Sequence, residues 1–455
     1  MAADPFPARS TIASSQLEQL RRLLAALVPA NSFYTRKFSR AGVTAAVMCL
    51  DEFSKRFPFT TKPELADNQC AQPPYGSNLT FPLERYTRFH QTSGTTGAPL
   101  HWLDTPESWN WMVENWAEIL RAAGATAGDR VFFAFSFGPF IGFWLAYEAA
   151  QRIGCLCLPG GGLSSAARLR VLMENGATIL CCTPTYALRL AEVAAEEKID
   201  LRAARVRTII VAGEPGGSIP ALRARLQKLW HGVRVFDHHG MTETGPVTHE
   251  CPKHPGVLHV LEPAYFAEVI DPVSAKPIAP GQRGELVLTT LGRTGSPVLR
   301  YRTGDLVKPV HQSSILRSKA TVEDRSTIGD HPCECGRHTL AFDGGILGRT
   351  DDMVIVRGVN VFPSAVEDII RSCGDVAEYQ VTVSNARSLI ELSVQIEPAL
   401  VCPDPAALVK RLEKSFEDAF ALRVPVQSVP AGTLPRFEMK AKRWVKIGSQ
   451  ESSTR

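Results

Sequence analysis

The chain has 455 residues, more than one hydrophobic core usually organises, so we expect two or more domains. Its apolar fraction of 44%, charged fraction of 21% and net charge of +4 are typical of a soluble globular protein. They give no reason to expect nucleic acid or an anionic membrane as a partner. No apolar run approaches the roughly 20 residues that cross a bilayer, and residues 1–14 lack the apolar segment of a signal peptide.

A helical pattern opens the chain, because leucines recur at helical spacing within residues 16–38. From about residue 88 to residue 237, short apolar segments alternate with helical patterns. The predicted strands and helices of this part include residues 131–135, 166–174, 178–182, 185–196 and 208–212. Such alternation predicts a mostly parallel sheet that is covered on both faces.

The pattern changes after residue 267, where short strands are joined by Pro and Gly turns up to residue 310. This part is typical of a small antiparallel sheet or barrel. Residues 313–331 are polar and irregular. The remaining chain has a mixed pattern of strands at 353–357, 380–383 and 388–396 and helices at 364–372 and 404–420. We therefore predict an α/β fold with a large domain, residues 1–347, and a small α+β domain, residues 348–455.

Residues 91–99 form a loop rich in small donors, with the sequence Gln-Thr-Ser-Gly-Thr-Thr-Gly-Ala-Pro. Its backbone N–H groups and hydroxyls are suited to wrapping a polyphosphate. It is not a Walker loop, because no Gly-Lys-Ser/Thr follows at the required spacing. Taken alone, the loop fits a solvent-exposed turn equally well.

Four further motifs follow in order: Gly-Met-Thr-Glu at 240–243, Tyr-Arg-Thr-Gly-Asp at 301–305, residues 348–363, and Leu-Pro-Arg at 434–436 with Lys440. The ordered set resembles the acyl-adenylate-forming superfamily. The run Arg-Gly-Val-Asn-Val-Phe-Pro at 357–363 is most similar to its phenylacetate–CoA ligase branch. The resemblance covers residues 16–446. It implies an enzyme that uses ATP and Mg²⁺ to convert a carboxylic acid into acyl-AMP and then passes the acyl group to coenzyme A. The cysteines separately predict a reducing cytoplasm without a disulfide framework, because most of them lie singly inside apolar runs.

The resemblance also implies a nucleotide site. The phosphate-binding loop would comprise Ser93, Gly94, Thr95, Thr96 and Gly97. The adenine would be framed by Gly213, Glu214 and Pro215, and His239 would stack on it. The nucleotide site would also include Asp237, His238, Gly240, Met241 and Thr242. Glu243 would ligate Mg²⁺, Asp305 would accept hydrogen bonds from the ribose hydroxyls, and Arg349 would contact ribose or phosphate.

The small domain of this superfamily rotates between the two half-reactions, which implies a hinge at Asp351 and a coenzyme A tunnel lined by Arg357 and Gly358. Lys440 would be the catalytic lysine, because a cation that arrives only in the closed form stabilises the charged transition state selectively. Lys442 and Arg443 are alternative candidates for this catalytic role. The other interpretation of the segment is a basic tail without a catalytic residue.

Some positions depart from the superfamily pattern. Ala98 and Leu100 stand where a lysine is common, His239 stands in for a tyrosine, and Met439 stands in for a glycine. Three hypotheses therefore stay open: a coenzyme A ligase, a stand-alone adenylation enzyme that serves a carrier-protein thiol or an amine, and a non-catalytic nucleotide-binding relative. A homodimer is open as well.

A metal site is predicted in a polar, irregular part of the chain. Cys333 and Cys335 form a Cys-x-Cys-Gly sequence, and Cys251 and His259 complete a Cys₃His set that suits structural zinc. Some members of the phenylacetate branch carry zinc at corresponding positions. His254 and His338 are alternative candidates for the fourth ligand. The other interpretation is that the four residues are unrelated and bind no metal.

An acyl pocket is predicted where aromatic residues and glycines follow a strand end, with Phe135, Phe140 and Gly142 as lining residues. Aromatic walls with glycine gaps suit a flat aromatic acid or a medium apolar one. The alternative is ordinary core packing between a strand and a helix.

Overall fold

The computed structural model describes residues 6–92, 99–279, 281–310, 332–350, 352, 354–356, 359–386, 389–437 and 442–447. No helix within these ranges has both the length and the apolar character needed to span a membrane. The chain begins with four helices: α1 (Arg9–Leu27), α2 (Ser32–Ala41), α3 (Leu50–Arg56) and α4 (Lys62–Ala71).

The helical pattern at residues 16–38 is divided between two helices rather than continued through one. Pro29 follows the end of α1 and lacks the N–H that would continue it. The side chain of Asn31 then caps α2 by accepting a hydrogen bond of 3.1 Å from the N–H of Tyr34.

The central part of the chain alternates strands with helices, as the sequence predicts. Its elements are β1 (Arg88–Gln91), β2 (His101–Asp104), α5 (Pro106–Ala122), β3 (Arg130–Phe133), α6 (Ile141–Arg152), β4 (Leu156–Pro159), α7 (Ser165–Glu174), β5 (Ile179–Cys182), α8 (Pro184–Glu196), β6 (Thr208–Val211), α9 (Pro220–Leu229) and β7 (Arg234–Asp237). Strands β3 to β7 form a parallel sheet in the order β4-β3-β5-β6-β7.

Both faces of this parallel sheet are covered. Successive residues of β5, such as Leu180 and Cys181, belong to two different hydrophobic clusters. Successive side chains of a strand point to opposite faces, so the two clusters lie on opposite sides of the sheet. The prediction of a doubly covered parallel sheet is therefore confirmed.

The next part is antiparallel. It contains β8 (Gly240–Met241), β9 (Gly245–Pro246), β10 (Thr248–Glu250), β11 (Val257–Val260), β12 (Tyr265–Ile270), β13 (Gly284–Thr290), β14 (Tyr301–Val307), β15 (Ala341–Asp343) and β16 (Gly348–Arg349). The described strands pair as a four-stranded sheet in the order β12-β13-β14-β16 and a three-stranded sheet in the order β10-β11-β15.

The last part has a core of its own. Its elements are β17 (Val354–Val356), β18 (Val359–Val361), α10 (Pro363–Cys373), β19 (Val376–Ala386), β20 (Leu389–Pro398), α11 (Pro405–Phe420), β21 (Val426–Ser428) and β22 (Trp444–Ile447). The buried members of this core lie between Val354 and Val426, and Trp444 packs against them. The predicted α+β pattern is present, with β19 and β20 longer than the sequence suggests.

Polar contacts join this last part to the parallel-sheet part. Arg225 of α9 donates through Nη1 to the carbonyl oxygen of Val376. Arg443 is 7% exposed, lies 2.6 Å from Glu378 Oε1, and donates to Thr185 Oγ1 of α8 at 3.3 Å. A buried arginine that spans two cores fixes their relative position, because separating them breaks its hydrogen bonds.

Candidate active site

The carboxyl ends of β6 and β7 bring several predicted adenine-site residues to one edge of the parallel sheet. Glu214 follows β6, and its Oε1 accepts a hydrogen bond of 2.8 Å from the N–H of Thr185. Asp237 ends β7 and accepts a hydrogen bond of 2.6 Å from Ser218 Oγ. An added Cβ at Gly217 would lie 2.5 Å from Asp237 Cγ, so the close approach of this backbone requires glycine.

Asp237 is buried, and this burial raises the pKa of its carboxyl to about 6. The next residue, His238, lies edge-on to Trp116 with ring centroids 4.5 Å apart. Burial lowers the pKa of His238 to about 3, so this imidazole is neutral at pH 7.

Asp305 lies between two cationic or titratable side chains. Its Oδ2 is 3.1 Å from His239 Nε2, and its Oδ1 is 3.2 Å from Arg349 Nη1. The register of β14 and β16 places Asp305 directly opposite Arg349. The structure therefore brings together three residues that are far apart in the sequence and that were all predicted for the nucleotide site.

Two buried polar atoms of this group lack a well-formed hydrogen bond within the described residues. Asp305 Oδ2 and His239 Nε2 are both buried, and within the described residues neither makes a hydrogen bond of good geometry, although they are in contact. Leaving such atoms unmatched is costly. A ligand with hydroxyl or amine groups at this place would remove that cost.

Glu243 is 5% exposed and follows β8, the short strand that comes after β7 in the chain. Tyr301 donates its hydroxyl to Glu243 Oε1 at 3.2 Å, and Lys62 Nζ lies 3.5 Å from the same oxygen. The sequence does not predict Lys62 at this site. No motif marks it, and it belongs to α4 in the N-terminal part of the chain.

Other predicted site residues lie outside the described residues. They are the loop Ser93, Gly94, Thr95, Thr96 and Gly97, the hinge Asp351, the tunnel residues Arg357 and Gly358, and the catalytic Lys440. The flanks of the loop are described. Thr92 and Leu100 hydrogen-bond each other at the end of the β1–β2 pair that the loop connects, with a distance of 3.0 Å from Thr92 N to Leu100 O. The two flanks of the loop are therefore adjacent.

The predicted acyl-pocket residues belong to one aromatic cluster. Phe135 stacks on Phe143 with ring centroids 4.2 Å apart, and Phe140 lies 6.0 Å from Phe143. An added Cβ at Gly142 would meet no atom within 4 Å, so this helix start borders open space. Helix α6 contacts β8 and β9. The cluster is therefore close to the segment that carries Glu243, while the 8% exposure of Phe135 also fits core packing.

The four predicted metal ligands converge. The ligand atoms of Cys251, His259, Cys333 and Cys335 all lie within 4.8 Å of one another. The sulfur atoms of Cys251 and Cys333 are 3.7 Å apart, and Cys335 Sγ is 3.4 Å from His259 Nε2. The second ring nitrogen of His259 lies 3.0 Å from Thr339 Oγ1, which fixes the orientation of the ring.

The fourth member of this group is His259 rather than either alternative. His254 Nε2 instead faces Glu334 Oε2 at 3.5 Å. Among the described residues, the group that brings at least three such ligand atoms together contains neither His254 nor His338.

Comparison with known proteins identifies the family of the chain. Two family profiles match: "AMP-binding enzyme" over residues 89–292 and "AMP-binding enzyme C-terminal domain" over residues 358–446. The chain thus has both parts of an AMP-binding enzyme.

It is 30% identical over 449 residues to a phenylacetate-coenzyme A ligase of Pseudomonas putida, and the match covers 96% of this chain and 95% of the relative. A second such ligase, from Thermus thermophilus, is 30% identical over 450 residues, 94% of this chain and 95% of the relative. The chain belongs to the phenylacetate–coenzyme A ligase family.

Solved structures of a 2-hydroxyisobutyryl-CoA ligase share the fold. In its postadenylation state with 2-HIB-AMP, that enzyme is 26% identical and superposes with a TM-score of 0.88 over 97% of this chain and 91% of its own. In its thioesterification state, with 2-HIB-AMP and CoA, the TM-score falls to 0.70 over the same shares of the two chains. The arrangement of this chain is therefore more similar to the first state.

Proposed function

We propose that the protein is an ATP-dependent acid–CoA ligase that forms an acyl-AMP. In the first step, a carboxylate oxygen attacks the α-phosphorus of ATP. The bond between the α-phosphorus and the oxygen that bridges to the β-phosphate breaks, and pyrophosphate is released. In the second step, the thiol sulfur of coenzyme A attacks the acyl carbon, AMP leaves, and the thiol proton passes to solvent. The observation that carries the proposal is the buried Asp305 with His239 and Arg349, inside a chain 30% identical to phenylacetate–CoA ligases.

Each site residue has a role in this scheme. Asp305 accepts hydrogen bonds from the ribose hydroxyls, and His239 lies against the adenine face. The loop at 93–97 donates N–H and hydroxyl groups to the β- and γ-phosphates. Glu243 offers a hard carboxylate oxygen of the kind Mg²⁺ prefers. When bound there, Mg²⁺ would offset the negative charge of the phosphates.

The acid that this site accepts is proposed to be aromatic. The rings of Phe135, Phe140 and Phe143 lie near the open space beside Gly142. Flat apolar walls favour a flat apolar side chain, because burial of its surface is the main source of binding energy.

The chain is proposed to divide into residues 1–347 and residues 348–455, with Asp351 as the hinge. The separate core within the second part supports this division. In the present arrangement Lys440 would stabilise the first transition state. After rotation, the strand that includes Arg357 and Gly358 would line the path of the coenzyme A thiol.

The Cys₃His group is proposed to bind a structural Zn²⁺. Tetrahedral zinc with Zn–S of about 2.3 Å and Zn–N of about 2.0 Å puts two sulfurs about 3.8 Å apart and a sulfur and a nitrogen about 3.5 Å apart. The measured separations of 3.7 Å and 3.4 Å fit these values. The metal would tie β11 to the segment at residues 332–338. None of the eleven cysteines forms a disulfide, which supports the proposal of a reducing, cytoplasmic location.

The test is a panel of aromatic and aliphatic acids, incubated with MgATP and either coenzyme A or hydroxylamine as the acceptor, with products identified by mass spectrometry. We expect AMP, pyrophosphate and an acyl-CoA with an aromatic acid. Hydroxamate without any acyl-CoA would favour the stand-alone adenylation enzyme. Absence of AMP with every acid, from folded protein, would favour a non-catalytic relative.

A further inference from the structure

Lys62 is the first residue of α4, and its ammonium group reaches the candidate nucleotide site from the N-terminal part of the chain. Its Nζ lies 3.5 Å from Oε1 of Glu243, a carboxylate that is 5% exposed. The Lys62 side chain itself is 42% exposed. The side chain is therefore partly open to solvent beside Glu243.

The position of Lys62 is fixed by the strand that carries the Tyr-Arg-Thr-Gly-Asp motif. Thr60 forms a parallel bridge with Tyr301. Its N–H donates to the carbonyl of Arg300 at 3.0 Å, and its own carbonyl accepts from Arg302 N at 2.9 Å. Thr61 then caps α4 by accepting from the N–H of Glu64. The start of α4 is therefore held in register with β14, which also carries Asp305.

The candidate phosphate loop has a charge deficit. Residues 91–99 contain neither Lys nor Arg, so the loop offers only N–H groups and hydroxyls. The β- and γ-phosphates of ATP carry most of its negative charge, and more negative charge develops on the leaving pyrophosphate. A cation at this place stabilises both the bound triphosphate and the leaving group.

We propose that Lys62 supplies this cation and binds the β- and γ-phosphate oxygens of ATP and the released pyrophosphate. The inference rests on the proposed adenylation function. In the absence of nucleotide, Lys62 neutralises the buried Glu243. With MgATP bound, Glu243 would hold the metal ion, and the Lys62 ammonium would contact the phosphate oxygens. The N-terminal helices, which lie outside the matched AMP-binding profile at 89–292, are then part of the nucleotide site.

Separate assays of the two half-reactions test this role. Adenylation, measured by pyrophosphate exchange, uses the triphosphate; thioester formation from supplied acyl-AMP does not. We expect Lys62→Ala to reduce exchange by about 10- to 100-fold, the range expected for loss of a charge-assisted hydrogen bond. It should leave thioester formation within twofold of wild type. It should also weaken inhibition by pyrophosphate more than inhibition by AMP, and Lys62→Arg should restore part of the exchange.

The matched control is Lys55→Ala on the neighbouring helix α3. Lys55 is paired with Asp51 at the surface and is 71% exposed, so exchange should not change. Wild-type exchange in Lys62→Ala would overturn the inference, as would an equal loss in both half-reactions. Absence of exchange by the wild-type protein with every acid would instead contradict the proposed function itself.

Discussion

The imidazole of His239 contacts the carboxylate of Asp305, with 3.1 Å between Nε2 and Oδ2. On the opposite side, Arg349 Nη1 lies 3.2 Å from Oδ1. Each partner comes from a different strand or loop, so the carboxylate is held from two sides at an edge where a nucleotide ribose would lie. The pairing of β14 with β16 sets this geometry.

Replacing Asp305 by Asn keeps the shape of the side chain and removes its charge. We expect the KM for ATP to rise by about tenfold or more, since hydrogen bonds to charged groups contribute about 1.5–3 kcal/mol. Initial-rate kinetics at varied ATP give this value. The control is Asp343→Asn, which removes an exposed carboxylate from its pair with Lys308. An unchanged KM for ATP in Asp305→Asn would rule out the ribose-binding role.

Removal of one metal ligand tests the Cys₃His group. Cys335→Ser should lose bound zinc and lower the free energy of unfolding by on the order of 3 kcal/mol, because loss of a structural metal is among the most destabilising changes. Elemental analysis of dialysed protein and denaturant unfolding measure the two effects. Cys402→Ser, at a half-buried cysteine of the last part of the chain, is the control. Less than a third of an equivalent of zinc in the wild-type protein would reject the metal site.

The contact between Arg225 and the carbonyl of Val376 joins the two parts of the chain in the present arrangement. Arg225→Ala should disfavour this arrangement and slow acyl-AMP formation by about fivefold, on the order of 1 kcal/mol. Thioester formation from supplied acyl-AMP should not slow. Arg202→Ala, at an exposed pair with Asp200, is the control. A larger loss in the thioester step would show that the contact serves the other state.

The pH dependence of stability reports on Asp237. Burial raises the pKa of its carboxyl from 3.8 to about 6, while the hydrogen bond from Ser218 and the positive charge of Arg223 oppose this shift. A raised pKa means that folding favours the protonated form. The stabilisation is therefore fully present below about pH 4 and is lost as the pH rises through about 6, a change of about 3 kcal/mol.

Asp237→Asn should flatten this dependence, because an amide does not titrate. Denaturant unfolding at pH 4, 5, 6 and 7 compares the two proteins. We expect the difference between pH 4 and pH 7 to be smaller in the variant by about 3 kcal/mol. If both proteins show the same pH profile, the buried carboxyl does not titrate in this range.

The sequence predicts much of this site because its motifs are local and chemically explicit. A Tyr-Arg-Thr-Gly-Asp sequence and a Gly-Arg sequence lead to Asp305 and Arg349, and a Cys-x-Cys-Gly sequence leads to the thiol group. The structure adds that His259 completes that group. The choice of His259 over His254 depends on the pairing of β10 with β11. The spacing of cysteines and histidines in the sequence does not predict this pairing.

Other features depend on long-range contacts and could not be predicted. Lys62 reaches Glu243 only because Thr60 pairs with Tyr301. Arg443, which the sequence leaves as a rival to Lys440, is buried against Glu378 and is not available for catalysis. Burial of a charged side chain depends on partners that lie far away in the sequence.

Exchange of labelled pyrophosphate into ATP, with coenzyme A omitted, tests the central claim most directly. The wild-type protein should catalyse exchange only when an acceptable acid is present. Lys440→Ala should abolish this exchange while it still forms thioester from supplied acyl-AMP. Exchange that requires no acid, or folded wild-type protein that gives none with any acid of the panel, would contradict the formation of an acyl-AMP.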